Sequence, residues 1–128
     1  MADEYVRQMH ERCREHDGII LVAEHVDGIV GLVMVLGHVP FESLDEPPGD
    51  YALVAELVVR TGFRGRGIAR ALLGAAERHV QESGATELRI AVLSNNHPAR
   101  HLYIGEGFEP YREILAKPVP SAHRDAAT

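Results

Sequence analysis

The feature that most constrains the fold is a stretch of glycine and arginine between two apolar segments. Three glycines and three arginines lie within residues 62–70. The segment before it, YALVAELVV at 51–59, is almost wholly apolar, and Ile68, Leu72 and Ala76 follow at helical spacing. The pattern predicts a buried strand, a tight turn and a helix. Because the first N–H groups of a helix lack intrahelical partners and lie at the positive end of its dipole, such a turn is typical of an anion site.

Further patterns divide the rest of the chain into helices and strands. Asp27-Gly28 lies between two β-branched runs and indicates a hairpin. The predicted elements are a helix over 3–16, strands over 19–26, 29–36 and 51–59, a helix over 68–83, a strand over 86–94, a helix that Asn96 caps and the Gly-Phe pair at 107–108 ends, and a strand over 111–119. Residues 38–50, with two adjacent prolines and four acids, are predicted to form a loop. This order predicts one α/β domain over residues 1–128, built on a single sheet.

Composition narrows the kind of protein further. With 128 residues, 45% of them hydrophobic, the chain is long enough to bury one core without disulfides. Its single cysteine, Cys13, fits a reducing compartment. No apolar run reaches the length of a membrane span, so we expect a soluble cytoplasmic protein that does not bind membranes. The net charge of −6 argues against nucleic acid as the main ligand.

The eight histidines raise the question of a metal site. His97 and His101 stand at a ligand-like i, i+4 spacing, but no third ligand accompanies them in the sequence. An exposed helix face explains this pair better, and we expect no metal.

Three anion-binding motifs compete for the turn at 62–70. A phosphate-binding loop needs a lysine where Ile68 stands, and a dinucleotide fingerprint needs a third glycine where Arg70 stands. RGRGIA, from Arg64 to Ala69, has the form Arg/Gln-x-x-Gly-x-Gly/Ala. That form resembles the pyrophosphate-binding signature of the GCN5-related N-acetyltransferases, the GNAT family.

A second block strengthens the resemblance. SNNHPARHLYIGEGF is similar to the family's Asn-x-x-Ala-x-x-x-Tyr-x-x-x-Gly-Phe pattern, which is carried here by Asn96, Ala99, Tyr103, Gly107 and Phe108. The gap between the blocks suits one helix and one strand. A glycine turn alone is most often only a tight turn, but two blocks in order, covering residues 51–111, favour the family.

The resemblance implies a single mixed, mostly antiparallel central sheet flanked by helices, with acetyl-CoA as cosubstrate. It also implies which residues bind that cosubstrate. They are Leu57, Val58 and Val59, whose backbone would pair with the pantetheine arm; Arg64, Gly65, Arg66, Gly67, Ile68, Ala69 and Arg70, whose amides would hold the pyrophosphate; and Asn96, which would contact the arm.

The implied reaction is transfer of an acetyl group to a primary amine by direct attack. The resemblance implies Tyr103 as the acid that protonates the leaving thiolate, a role compatible with its ring packing on the sheet. Glu56, the one ionisable residue of YALVAELVV, is the candidate base. The alternatives for Glu56 are an ion pair with a nearby arginine, plain exposure, or action through water. No covalent intermediate is required, and we interpret Cys13 as a small core residue.

The chain departs from the family in two places. It begins at what resembles the family's second helix, so we expect a shortened N-terminus, an uncovered part of the acceptor site and a homodimer that covers it. Glu106 stands where relatives have an apolar residue.

The acceptor is expected to be a small-molecule or peptide amine. Glu42, Asp45, Glu46 and Asp50 could attract a polycationic acceptor, although solvated acidic loops are common. The competing hypothesis is a non-catalytic module of the same fold that binds acetyl-CoA or CoA.

Overall fold

The central part of the fold is the long ladder between the second and third strands. The structure, a computed structural model, describes residues 2–42, 44–46 and 48–121. Its elements are α1 (Ala2–Glu15), β1 (Ile19–His25), β2 (Gly28–Pro40), β3 (Asp50–Val59), a 3-10 turn (Thr61–Phe63), α2 (Ile68–Glu82), β4 (Leu88–Ile90) and α3 (His97–Gly105).

The four strands form one sheet in the order β1-β2-β3-β4. The pairs β1–β2 and β2–β3 are antiparallel, whereas β3 and β4 are parallel and are connected through α2. This confirms the expected mixed, mostly antiparallel sheet flanked by helices. The division of the chain into one domain over 1–128 stays a prediction.

The main cluster of buried side chains lies between α2 and one face of the sheet, and Val30, Met34 and Leu36 are buried outside this cluster. Inward-facing side chains of β2 and β3 alternate along the strands, and α2 covers them with its apolar stripe. The buried cluster consists of Val33, Val35, Ala52, Val54, Leu72, Leu73, Ala76 and Val80. The stripe predicted from the sequence therefore faces the sheet.

A β-bulge interrupts the ladder between β2 and β3. Val35 pairs with Val54 and Met34 pairs with Glu56, so Ala55 is an extra residue in β3. The bulge changes which residues face α2: Val54 does so before it and Leu57 after it. Glu56 consequently lies on the opposite face of the sheet.

Three predictions about the strands are wrong. Residues 38–40 belong to β2, not to a loop, and the strand predicted over 86–94 is confined to Leu88–Ile90. Strand β4 ends at Ile90 because β3 bulges directly after Val54, which is the last residue of β3 that pairs with β4.

The strand predicted over 111–119 does not form, since residues 109–121 contain no regular element. Tyr111 and Arg112 bind Glu46 through their side chains. Beyond them, Ile114 and Leu115 are 91% and 89% exposed. Pro118, which cannot donate a ladder hydrogen bond, follows shortly after. The alternating apolar residues therefore have no face of the sheet on which to be buried.

No helix within the described part of the chain is long and apolar enough to cross a membrane.

Gly31 lets α2 lie close to β2, and this predicts opposite effects of alanine at two glycines. A Cβ at Gly31 would lie 3.1 Å from the Val58 carbonyl oxygen and 3.2 Å from side-chain carbons of Ile68 and Leu72. Gly31→Ala should lower the free energy of unfolding by about 1–3 kcal/mol through overpacking.

The control is Gly74→Ala inside α2, where the nearest atom would be the end of the Arg78 side chain at 3.5 Å. It should raise the free energy of unfolding by up to about 1 kcal/mol through helix propensity. Urea unfolding measures both variants. A Gly31→Ala protein as stable as the parent would contradict the close approach.

Candidate functional site

The turn before α2 presents backbone N–H groups to open space. Gly65 and Gly67 have φ angles of 77° and 82°, in the left-handed region that glycine adopts without strain. Gly67 is the N-cap of α2, and no side chain caps the helix. Among the described residues, no atom lies within 4 Å of a Cβ built at Gly65 or Gly67. The first turn of α2 has no acidic residue, so this helix end can accept an anion.

The arginines around the turn have different partners. The Arg64 Nε donates to the Val59 carbonyl oxygen at 3.3 Å. The Arg70 Nε lies 3.0 Å from Oε2 of Glu106. This ion pair gives a physical reason for the unusual Glu106: it joins the C-terminal end of α3 to the first turn of α2.

Beyond the bulge, β3 has an open edge. Pairing between β3 and β4 ends at Val54 and Ile90, although β3 continues to Val59. Arg60 N–H donates to the Val30 carbonyl oxygen at 2.8 Å, so alternation directs the polar backbone groups of Val58 towards β2. Those of Leu57 and Val59 point to the open side, where Arg64 binds the Val59 carbonyl oxygen.

Tyr103 lies on α3, which Asn96 caps as predicted. The Asn96 Oδ1 accepts a hydrogen bond from the Ala99 N–H at 3.2 Å. The Tyr103 ring is half-buried against the core and 6.1 Å from the Phe108 ring, edge to face. Burial raises the pKa of Tyr103. A tyrosine hydroxyl is already protonated at neutral pH, and this shift strengthens that preference.

Glu56 contacts a residue that the sequence did not single out. Its carboxylate lies near the Tyr5 hydroxyl on α1, and the interaction with Glu56, together with partial burial, raises the pKa of Tyr5. Within residues 2–42, 44–46 and 48–121 no ion pair to Glu56 is found, so an arginine is not its partner. The apolar stripe of Tyr5, Met9 and Cys13 was the available signal for this face of α1, on which Tyr5 itself is 50% exposed.

Glu46, one of the acids expected to attract an acceptor, is enclosed by other side chains instead. Its carboxylate accepts hydrogen bonds from the Tyr111 hydroxyl at 2.9 Å, from Arg112 at 2.8 Å and from Arg89. These bonds, chiefly the one from Arg89, lower the pKa of Glu46. Arg89 also lies over the Tyr51 ring at 4.1 Å. Glu46 therefore holds the segment after α3 to the start of β3 and β4.

Cys13 lies near the C-terminal end of α1. It lines an open cavity of about 550 Å³ beside the turn between α1 and β1, together with His10 and Asp17. Burial raises the pKa of the Cys13 thiol, which disfavours the thiolate that a nucleophile needs. Within the described residues, no group of His, Cys, Asp and Glu is arranged to hold a metal ion.

The fold brings several of the predicted site residues together. Leu57, Val59, Ile68 and Tyr103 all pack on the same hydrophobic cluster under α2. Glu56 lies on the other face of the sheet, at the point where β3 and β4 part. The parted strands can thus receive an extended ligand, with Tyr103 on one side and Glu56 on the other.

Comparison with known proteins agrees with this geometry. The model of the Acetyltransferase (GNAT) family matches residues 2–108. Comparison with curated proteins gave no match.

Solved structures with the same fold include three informative ones. The aminoglycoside antibiotic 6'-N-acetyltransferase AAC(6')-IG from Acinetobacter haemolyticus is 14% identical, with a TM-score of 0.75 over 94% of this chain and 83% of that one. AAC(6')-Iy, in complex with the bisubstrate analog CoA-S-monomethyl-acetylneamine, is 19% identical, with a TM-score of 0.73 over 93% and 80%. A transcriptional regulator from Bacillus halodurans C-125 is 22% identical, with a TM-score of 0.72 over 91% and 75%.

Proposed function

Because this chain belongs to the acetyltransferase (GNAT) family, we propose that it transfers an acetyl group from acetyl-CoA to a primary amine. The observation that carries the proposal is the uncapped helix end beside the open edge of β3. An anion at the turn and an extended arm along the edge are the two parts of one ligand, a pantetheine pyrophosphate. The family supports acetyl transfer in general, and the arrangement of this chain's residues supports the details.

The open edge of β3 and the turn before α2 bind different parts of the cosubstrate. The backbone of Leu57 and Val59 pairs with the amides of the pantetheine arm as an added strand would, while the polar backbone groups of Val58 are directed to β2. The amides from Arg64 to Arg70 hold the pyrophosphate at the positive end of α2. Asn96, which caps α3, lies at the start of the helix that carries Tyr103 and contacts the arm.

The two candidate catalytic groups act on different protons. Glu56 accepts the proton that the attacking amine must lose, either directly or through water. Tyr103, which is protonated at neutral pH and whose pKa burial raises further, donates its proton to the thiolate of CoA as the thioester bond breaks. No residue of the chain forms a bond to the acetyl group, which agrees with the position of Cys13.

For the acceptor we propose a small molecule or a peptide that carries a primary amine. The aminoglycoside acetyltransferases of the same fold support a small-molecule amine. Glu46 is engaged within the fold, so any attraction of a polycation by this loop would come from its other acids. The cytoplasmic location and the homodimer stay predictions.

Release of free thiol from acetyl-CoA, measured with a panel of primary amines, tests the proposed activity. We expect release that depends on the amine, together with an acetylated product detected by mass spectrometry. Tight binding of acetyl-CoA without release for any polyamine, aminoglycoside or lysine peptide would instead favour the non-catalytic module.

Gly67→Asp should weaken acetyl-CoA binding strongly. The substitution places a carboxylate at the N-cap of α2, where the pyrophosphate would bind. The negative charge of this carboxylate would repel the phosphate groups. Gly67→Asn is the matched control, because asparagine has the same shape, tolerates the left-handed backbone and caps helices equally well. Calorimetry should show a much larger loss of affinity for the aspartate variant. Equal affinities for the two variants would remove the turn from the cosubstrate site.

Tyr103→Phe should lower turnover by roughly 100- to 10,000-fold, the usual contribution of a general acid. The phenyl ring keeps the packing on Phe108 and the core, so the affinity for acetyl-CoA should change little. Tyr111→Phe is the control, because it removes a hydroxyl that contacts Glu46 instead. If Tyr103→Phe turns over a good acceptor at the parent's rate, another group protonates the thiolate.

Glu56→Gln should lower turnover most at low pH, where the acceptor amine is mostly protonated and a base is needed. Glutamine has nearly the same shape as glutamate and keeps an acceptor oxygen near Tyr5, so we expect the structure to be kept. Glu82→Gln, on α2, is a control for the loss of one negative charge. The pH dependence of kcat/KM checks this prediction, and overlaying profiles for the Glu56→Gln variant and the parent would exclude Glu56 as the base.

A further inference from the structure

Two of the four arginines near the turn have no ion-pair partner. Arg64 binds the Val59 carbonyl oxygen and Arg70 binds Glu106. Within the described ranges 2–42, 44–46 and 48–121, neither Arg60 nor Arg66 forms an ion pair. These two cations are exposed and lie at the same aromatic ring, that of Phe63.

The geometry of this arginine–phenylalanine cluster, Arg60, Phe63 and Arg66, is fixed by the backbone. The guanidinium carbons of Arg60 and Arg66 lie 5.4 Å and 4.9 Å from the centroid of the Phe63 ring. The Phe63 N–H donates to the Arg60 carbonyl oxygen at 2.9 Å, which closes the 3-10 turn. The His25 ring meets the edge of Phe63 at 5.0 Å and supports it from the β1–β2 hairpin. The ring therefore holds two cations at a fixed place.

Two guanidinium groups that share one ring repel each other unless an anion lies with them. Among the described residues no carboxylate forms an ion pair with either guanidinium group, and the Asp27 carboxylate contacts His25 instead, 3.4 Å from its Nδ1. A phosphate monoester carries close to two negative charges at neutral pH and has three acceptor oxygens, which suits two guanidinium groups at once. The charge and geometry of the cluster thus suit a doubly charged phosphate.

The cluster is continuous with the turn, because Arg66 lies between Gly65 and Gly67. A ligand whose pyrophosphate is held at the turn and which carries a second phosphate one sugar ring away would reach both places. Acetyl-CoA has such a group on its ribose.

We propose that Arg60, Phe63 and Arg66 bind the 3′-phosphate of CoA and make the protein select acetyl-CoA over its dephospho form. The inference rests on the proposed function and deepens it. Arg60 interacts with the 3′-phosphate alone. Arg66 interacts with the 3′-phosphate and also adds to the positive electrostatic potential at the pyrophosphate.

Calorimetry with CoA and dephospho-CoA tests the assignment on the full chain. The parent should bind CoA at least about tenfold more tightly, the order of magnitude of one charge-assisted hydrogen bond. Arg60→Ala should lose most of that preference with little change in affinity for dephospho-CoA. Arg66→Ala should weaken the binding of both ligands and also reduce the ratio of their affinities. The variant that carries both Arg60→Ala and Arg66→Ala should bind CoA and dephospho-CoA equally. Arg78→Ala, on the exposed side of α2, is the control for loss of one positive charge and should keep the parent's ratio.

The ratio of the two affinities separates the inference from the proposed function. If the double variant keeps the parent's preference, or if the parent has no preference while it binds both ligands, the cluster does not bind the 3′-phosphate and the proposed function stands. If the parent binds neither ligand, the proposed function fails and the assignment fails with it.

Discussion

One extra residue in β3, Ala55, determines where the groups of the candidate site lie. Since side chains alternate along a strand, the bulge lets Val54 and Leu57 face α2 and turns Glu56 to the opposite face. It also marks the point at which β3 stops pairing with β4. A single irregularity thus produces both an open strand edge and a carboxylate beside it, and the proposed chemistry depends on both.

Close packing holds the other half of the site in place. Gly31 on β2 leaves room for Ile68 and Leu72, so the first turns of α2 lie directly on the sheet. The N-terminus of α2 is consequently held beside the end of β3, and left-handed glycines replace a side-chain cap. A helix end without a cap lowers stability, since its N–H groups are left to solvent. That cost is offset when a ligand supplies the acceptors.

The charges around the site are distributed unevenly on an acidic protein of net charge −6. Arg70 is tied to Glu106, which links the turn to the helix of Tyr103. Arg89 and Arg112 hold Glu46, which binds the segment after α3 to the start of the sheet. Among the described residues, Arg60, Arg64 and Arg66 form no ion pair and lie next to the turn, so positive charge is concentrated there. An anionic ligand is attracted to that place and not to the surface at large.

The sequence by itself determined the elements whose signals are local. The apolar spacing after Gly67 places α2, Asn96 caps α3 through the Ala99 N–H, and the two blocks of motif residues identify the family. Only the tertiary structure decided the bulge at Ala55, the early end of β4, the absence of a strand over 111–119 and the partner of Glu56. These features depend on contacts between residues far apart in the chain: Glu56 on β3 lies near Tyr5 on α1, and Glu46 binds the side chains of Tyr111 and Arg112. Local spacing fixes the period of a helix or strand, but pairing register and side-chain partners are set by packing energies that a short window of sequence does not contain.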